Sequence, residues 1–328
     1  MQRKILNALQ AVAIATATAA PWSSGVVAQT YPTKPIRLIV PFAPSGGTDL
    51  LGRTLAQKLG DAFGHVVIVD NRAGGSGNTG TDMVAKSNPD GYTLLMGYVG
   101  NLAINPFLFK NLPYDPIKDF SPVTLAATAP NVLVAHPSVA ANNVKDLVAL
   151  ARANPTKLNY ASAGNGTVGH MVAELFKTVT NTQIVHIPYK GNGAAITDTL
   201  AGNVQLMFSA PGTVLPHIKA GKLKGLATAS AKRAHGLEDV PTFLEAGFPA
   251  VEASAWYGIL AAAGTPQPIV TKLHQELVRI IRLPEVRDRF AMLGYEAATS
   301  TPEEFTQLIK SDLAKWQKVV KASGARVD

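Results

Sequence analysis

The feature that most constrains the fold is an alternation that runs twice through the chain. Short apolar, β-branched runs alternate with segments whose apolar residues recur at helical spacing. In the first round IRLIVP (36–41) reads as a strand and DLLGRTLAQKLGDAFG as an amphipathic helix. VVIVD (66–70), GNTGTDMVAKS and YTLLMGY (92–98) continue it as strand, helix and strand. The second round opens on NVLVAHP and VKDLVALARANP, a strand and a helix ended by Pro155. LNYASA (158–163), TVGHMVAELFKTVT, IVHIPY, AAITDTLAGN, VQLMFSA, GTVLPHIKAGK and LKGLATAS carry it on. This order predicts two α/β units, each a mostly parallel sheet with helices on its faces.

After Pro241 the chain crosses through VEASAWYGILAA and ends in two or three helices. The last carries Ile309, Leu313, Trp316 and Val320 on one face. Lys310, Lys315, Lys318 and Lys321 lie largely off that face and read as a solvated surface. These helices are more amphipathic than the second unit needs, which points to a return to the first.

A chain of 328 residues has room for two units. Its 47% apolar and 16% charged residues exclude a disordered chain. There is no cysteine, which excludes disulfides, thiolate catalysis and Cys-ligated metal. Arg3 and Lys4, the apolar run ILNALQAVAIATATAA, and Val26 and Ala28 form a secretory signal with cleavage expected after Ala28. Asn7 and Gln10 interrupt the run, so a membrane span is not expected. Cleavage removes Arg3 and Lys4 and lowers the formal charge from +8 to +6. No dense Lys/Arg cluster with interleaved aromatics accompanies that charge, so nucleic acid is not an expected partner.

Two stretches fit the G-x-G-x-x-G pattern of a dinucleotide turn: GSGNTG (75–80) and GNGTVG (164–169). That turn needs an acid at the tip of the next strand. IVHIPYKG ends in Tyr189 and Lys190, and YTLLMGY has no terminal acid. GSGNTG is read as a tight turn. No phosphate loop, H-E-x-x-H or G-x-S-x-G elbow is present. His170, just inside a helix, reads as a packing or capping residue, and His186 as a core or rim residue. No catalytic residue, metal site or cofactor is expected.

Two other loops each follow a strand and open a helix: PFAPSGGTD (41–49) and ASAGNGTVGH (161–170). Small residues allow close backbone approach, and unpaired N–H groups at a helix start attract an anion. Ser45 and Thr48, and Ser162 and Thr167, add hydroxyls. Neither loop holds Lys or Arg, which suits one carboxylate better than a polyphosphate. Asp49 is either a helix cap or a ligand contact.

The chain resembles the Bug-type periplasmic solute receptors, the substrate-binding subunits of tripartite tricarboxylate transporters. YPTKPIRLIVPFAPSGGTDLLGR, VVIVDNRAGGSGNTGTDMVAKSNPDGYTLLMG, INPFLFKNLPYDPIKDFSPVT, LNYASAGNGTVGHMVAELF, HIPYKGNGAA and LPHIKAGKLKGLAT carry the resemblance over nearly all of the mature chain. It implies a two-lobed, flytrap-like periplasmic-binding-protein fold, with 31–124 and 252–328 in one lobe and 125–251 in the other. It implies a monomeric receptor, without enzymatic activity, that captures a small carboxylic acid and passes it to membrane permease subunits.

By the same resemblance, main-chain N–H groups and hydroxyls of two loops hold the ligand carboxylate. The first supplies Phe42, Ala43, Ser45, Gly46, Gly47, Thr48 and Asp49, and the second Ser162, Ala163, Asn165, Gly166 and Thr167. Tyr98, Asn192, Gly193, Ser209 and Tyr257 are expected at the distal end. Ser209 stands where relatives often carry Asp, which disfavours a ligand amine. Ala163 and Val168 make the second loop less polar, and Tyr98 replaces a smaller residue, narrowing the pocket or stacking on a ring. A two-lobed α/β enzyme acting on a carboxylate or nucleotide, and a ligand sensor docking a signalling partner, are the alternatives.

Overall fold

β-Branched and aliphatic runs bounded by glycine and proline become strands, and the segments between them become helices that cover the sheets. A computed structural model describes residues 31–189 and 191–327. The expected signal segment, 1–28, lies outside the described residues. Contacts divide the chain into Met1–Thr33 and Lys34–Asp328, and both sheets lie in the second unit.

The first sheet has the order β11-β4-β10-β3-β1-β2. Its strands are β1 (Ile36–Val40), β2 (Val67–Asn71), β3 (Thr93–Tyr98), β4 (Phe120–Pro130), β10 (Ser254–Ala262) and β11 (Glu296–Ala297). The second has the order β7-β6-β8-β5-β9. It contains β5 (Val132–Ala135), β6 (Asn159–Ser162), β7 (Val185–Pro188), β8 (Leu206–Ser209) and β9 (Lys224–Thr228).

The sheets are mixed, not mostly parallel as expected. β1 is parallel to β2 and β3, and β6 to β7 and β8. β10 runs antiparallel to both β3 and β4, β11 is antiparallel to β4, and β5 is antiparallel to β8 and β9. β4, β5, β9 and β10 flank the two points where the chain crosses between sheets, a feature that a βαβ rhythm does not encode. The expected division at 124/125 falls inside β4, which pairs with β10 as far as Pro130. The chain enters the second sheet after Asn131.

Helices α1 (Gly47–Phe63), α2 (Asn78–Ala85) and the short α3 (Asn105–Leu108) accompany the first sheet. A π-helical turn, Gly100–Ile104, leads into α3. Helices α4 (Val144–Ala153), α5 (Val168–Thr180), α6 (Asn192–Leu200) and α7 (Pro211–Lys219) belong with the second. Three helices close the chain: α8 (Gln267–Ile281), α9 (Pro284–Met292) and α10 (Pro302–Ser323). α8 packs on α1 and β4, and α10 on β4, so the terminal segment does return to the first sheet. Trp316, Phe290 and Phe305 are buried there. α10 starts with a full capping box, Thr301 and Glu304 each bonding the other's backbone N–H.

Candidate functional site

Both glycine loops sit at the ends of strands and at the starts of helices, and they face one cavity of about 810 Å³. The first loop, Phe42 to Thr48, leaves β1 and enters α1. Ser45 is held at φ 67°, a left-handed conformation uncommon outside glycine. Asp49 accounts for it. Its Oδ2 accepts the Ser45 N–H at 2.9 Å and Arg53 Nε at 2.9 Å, and its Oδ1 accepts Asn71 Nδ2 at 2.9 Å. Asn71 Nδ2 also reaches the Phe42 carbonyl at 3.1 Å. Burial raises the Asp49 pKa, but the bonds from Arg53, Asn71 and Ser45 outweigh it and hold the carboxyl below its usual value. Asp49 therefore braces the loop from behind and does not line the cavity, contrary to the expectation of ligand contact.

The second loop runs from Ala163 to Thr167 into α5. Thr167 caps the helix, accepting the His170 N–H at 3.4 Å and donating to the Gly164 carbonyl at 2.8 Å. Gly164 and Gly166 adopt φ 133° and 76°, which only glycine takes without strain. Ser162, expected to contact the ligand, likewise lies off the cavity. It is wholly buried and absent from the cavity wall. Its Oγ bonds Gly164 and, at 2.7 Å, His186 Nε2. A serine and a histidine so placed resemble a nucleophile and base, but a hydroxyl sealed behind the loop cannot reach a substrate.

His186 is stacked between Tyr160 and His170, with ring centroids 4.7 and 4.2 Å away. His170 Nδ1 accepts the Gly166 N–H at 3.2 Å, so this nitrogen is unprotonated. Burial pulls His170 down to about 4. Burial, with His170 and Lys177 nearby, pulls His186 down to about 3. Both are packing residues, as read from the sequence, and both also support the loop.

GSGNTG contributes more than the expected tight turn. Ser76 lines the cavity, and its Oγ donates to the Asn165 carbonyl at 3.5 Å. Asn105 Nδ2 fixes this segment through the Ser76 carbonyl at 3.0 Å and Asn78 Oδ1 at 2.7 Å. The Tyr114 hydroxyl donates to Asn78 Oδ1 at 2.8 Å.

The remaining expected residues all reach the cavity: Phe42, Ala43, Ser45, Gly46, Gly47, Thr48, Tyr98, Ala163, Asn165, Gly166, Thr167, Asn192, Gly193, Ser209 and Tyr257. Sequence reasoning missed Ser76, Asn131, Tyr189, Thr213, Met292 and Tyr295. Four aromatic rings form a chain along the first-sheet side. Phe42 meets Tyr98 edge-on at 5.7 Å, Tyr98 stacks obliquely on Tyr257 at 5.0 Å, and Tyr257 meets Tyr295 edge-on at 5.2 Å. Burial raises all three phenol pKa values, so these hydroxyls stay neutral hydrogen-bonding groups. Among the described residues, no Asp, Glu, Lys, Arg or His lines the cavity. The described residues of the wall therefore offer an anion neutral donors: backbone N–H, hydroxyl and amide groups.

Residues 51–325 match the tripartite tricarboxylate transporter family receptor. The chain is 37% identical over 324 residues to protein BugT of Bordetella pertussis, covering 98% of each chain. It superposes on an R. palustris protein solved with adipate with a TM-score of 0.82 at 35% identity, over 90% of this chain and 98% of that one. MatC from Rhodopseudomonas palustris, solved with bound malate, gives a TM-score of 0.79 at 30% identity, over 88% and 100%.

Proposed function

The chain belongs to the tripartite tricarboxylate transporter receptor family, and on that premise we propose that it is an exported receptor that binds a small organic carboxylate between two lobes without chemical turnover. The carboxylate lies between the first-turn N–H groups of α1 and α5. The loop hydroxyls and the tyrosine side hold the rest of the molecule. The observation that carries this reading is the pair of uncharged glycine loops, at two helix starts, facing one cavity. Neutral N–H donors pre-aimed at a helix start suit a single modest anion. The adipate and malate in the two R. palustris structures are carboxylates of the size such a cavity admits.

The two sheets form the cores of the lobes, and closure is a population shift toward the state in which the ligand bridges them. The receptor acts as a monomer in the periplasm after cleavage behind Ala28, and hands its ligand to the membrane subunits of the transporter. Thermal shift against mono-, di- and tricarboxylates and NAD tests the reading, because a ligand that binds only the folded chain raises its midpoint. A shift with NAD and with no acid would refute it. The mass of the protein recovered from the periplasm tests the cleavage site.

A further inference from the structure

The two helix starts that face the cavity differ in how far their own N–H groups are already paired. At α1 the cap is Gly46, which offers no side chain. The N–H groups of Gly47 and Thr48 have no acceptor among the described residues. At α5 the chain fills most of its donors itself. The Gly166 N–H goes to His170 Nδ1 at 3.2 Å, the Thr167 N–H to the Gly164 carbonyl at 3.3 Å and the His170 N–H to Thr167 Oγ1 at 3.4 Å. The Val168 N–H goes to the Tyr98 hydroxyl at 3.3 Å. Of the three first-turn donors, that leaves the Gly169 N–H without an acceptor among the described residues. Val168 and Gly169 both line the cavity.

Tyr98 stands apart from the other acceptors. His170, Gly164 and Thr167 belong to the second loop or to α5, whereas Tyr98 ends β3 in the first sheet. Its ring reaches across because Gly100 leaves room: a Cβ there would stand 2.6 Å from Tyr98 Cε1. The bond it accepts is longer than the usual N–H···O distance of about 2.9–3.0 Å. A phenol kept neutral by burial is also a weaker acceptor than a carboxylate, whose charge-assisted bonds are shorter and about twice as strong. The first-turn N–H groups of a helix all project from its start. An anion that takes the open Gly169 N–H with one oxygen therefore brings its other oxygen to the place that the Tyr98 hydroxyl holds.

We propose that the Tyr98 hydroxyl is a built-in competitor of the ligand: it occupies the Val168 N–H in the free chain and is displaced from it by a carboxylate oxygen. This rests on the carboxylate reading of the cavity. It adds that Tyr98 sets the affinity. A bond made only in the ligand-free state lowers binding by its own worth. The exchange also replaces one bridge between the sheets with another, since the displaced bond joins β3 to α5 and the carboxylate spans α1 and α5. The open N–H groups of Gly47 and Thr48 receive the anion without any such exchange.

Adipate, malate, citrate and benzoate are titrated calorimetrically into the wild-type chain and Tyr98→Phe. Wild-type silence toward all four acids defeats the carboxylate reading and the proposal with it, and is seen before any variant is compared. If an acid binds, Tyr98→Phe is expected to bind it about fivefold more tightly, the worth of one neutral hydrogen bond no longer broken on binding. A merely structural role for the hydroxyl would not tighten binding. Affinity within about twofold of wild type overturns the proposal. So does weaker binding, which would show that the hydroxyl donates to the ligand instead of yielding to it. A second measurement needs no variant. In the wild-type chain labelled with 15N-valine, the Val168 amide proton is expected to move downfield when the acid saturates the site, as a charged acceptor replaces the phenol. A Val168 signal that stays in place at saturation overturns the proposal on its own.

Discussion

The Tyr98 hydroxyl accepts the backbone N–H of Val168 at 3.3 Å, so a side chain from β3 holds a donor at the start of α5. Its ring packs between Phe42 and Tyr257. Tyr98→Phe keeps the ring contacts and removes only the bond between the two sheets' elements. The expected cost is about 1 kcal/mol, or a fall of about 2–4 °C in the ligand-free midpoint. Differential scanning calorimetry of the two proteins measures it. An unchanged midpoint would mean that the bond contributes nothing to the folded state.

Gly166 is the tightest point of the second loop. It sits at φ 76°, and a Cβ there would stand 2.9 Å from Leu108 Cδ1 and 3.2 Å from Asn105 Oδ1. Gly166→Val therefore combines a disfavoured backbone with an overlap against the first-sheet side. A stability loss of about 1–3 kcal/mol is expected. Acid affinity is expected to fall at least about tenfold as the loop is pushed out of register. Urea unfolding and calorimetric titration measure the two effects separately. Undiminished binding would show that this loop does not hold the carboxylate.

Gly47 and Tyr295 form a second close pair. A Cβ at Gly47 would overlap the Tyr295 hydroxyl and lie 2.7 Å from its Cζ. Gly47→Ala is expected to displace the Tyr295 ring from the cavity wall and weaken ligand binding. Trimming the ring with Tyr295→Ala in the same chain relieves the overlap. The two changes should then be non-additive, with a coupling of about 0.5–3 kcal/mol. A double-mutant cycle read by ligand affinity checks this. Strict additivity would mean that the ring and the loop do not sense each other.

Local pattern carried most of the helices and strands, and the small-residue loops could be read because their glycines lie next to strand ends in the chain. β4 escaped because FSPVTLAATAP carries Pro122 and Pro130, which argue against a central strand. Pro122 is accommodated beside a register shift on β10, between Ile259 and Leu260. Tyr295 escaped because it enters the cavity from the turn after α9, far from both loops in sequence. Asp49 and Ser162 turn away from the cavity for a shared reason. Both are polar residues in the right loops, but which way such a side chain turns depends on partners that only the fold supplies, here Asn71 with Arg53, and His186.

The stacked pair His170 and His186 makes stability depend on pH in a defined direction. Unfolded histidines titrate near about 6.5, whereas burial holds these at about 4 and about 3. Between those limits the unfolded chain binds more protons than the folded one, so stability falls as pH drops. The slope is up to about 1.4 kcal/mol per pH unit for each histidine. Above about pH 6.5 neither contributes, and below about pH 3–4 the effect levels off. Among the charged and titratable groups facing the pair, Glu174 accepts Lys177 Nζ at 2.7 Å and the Tyr160 hydroxyl at 2.6 Å. That carboxylate is already engaged and offers little compensation for a proton on either ring. Protonation of His170 Nδ1 would also take away the acceptor of the Gly166 N–H and loosen the clamp. Midpoints measured from pH 7.5 to 4.5 are therefore expected to fall below about pH 6.5. Acid affinity is expected to decline over the same range. His186→Gln keeps a hydrogen-bonding partner for Ser162 but cannot titrate, so it should remove the His186 share of the slope and leave that of His170. An unchanged slope in that variant would place the pH sensitivity elsewhere in the chain.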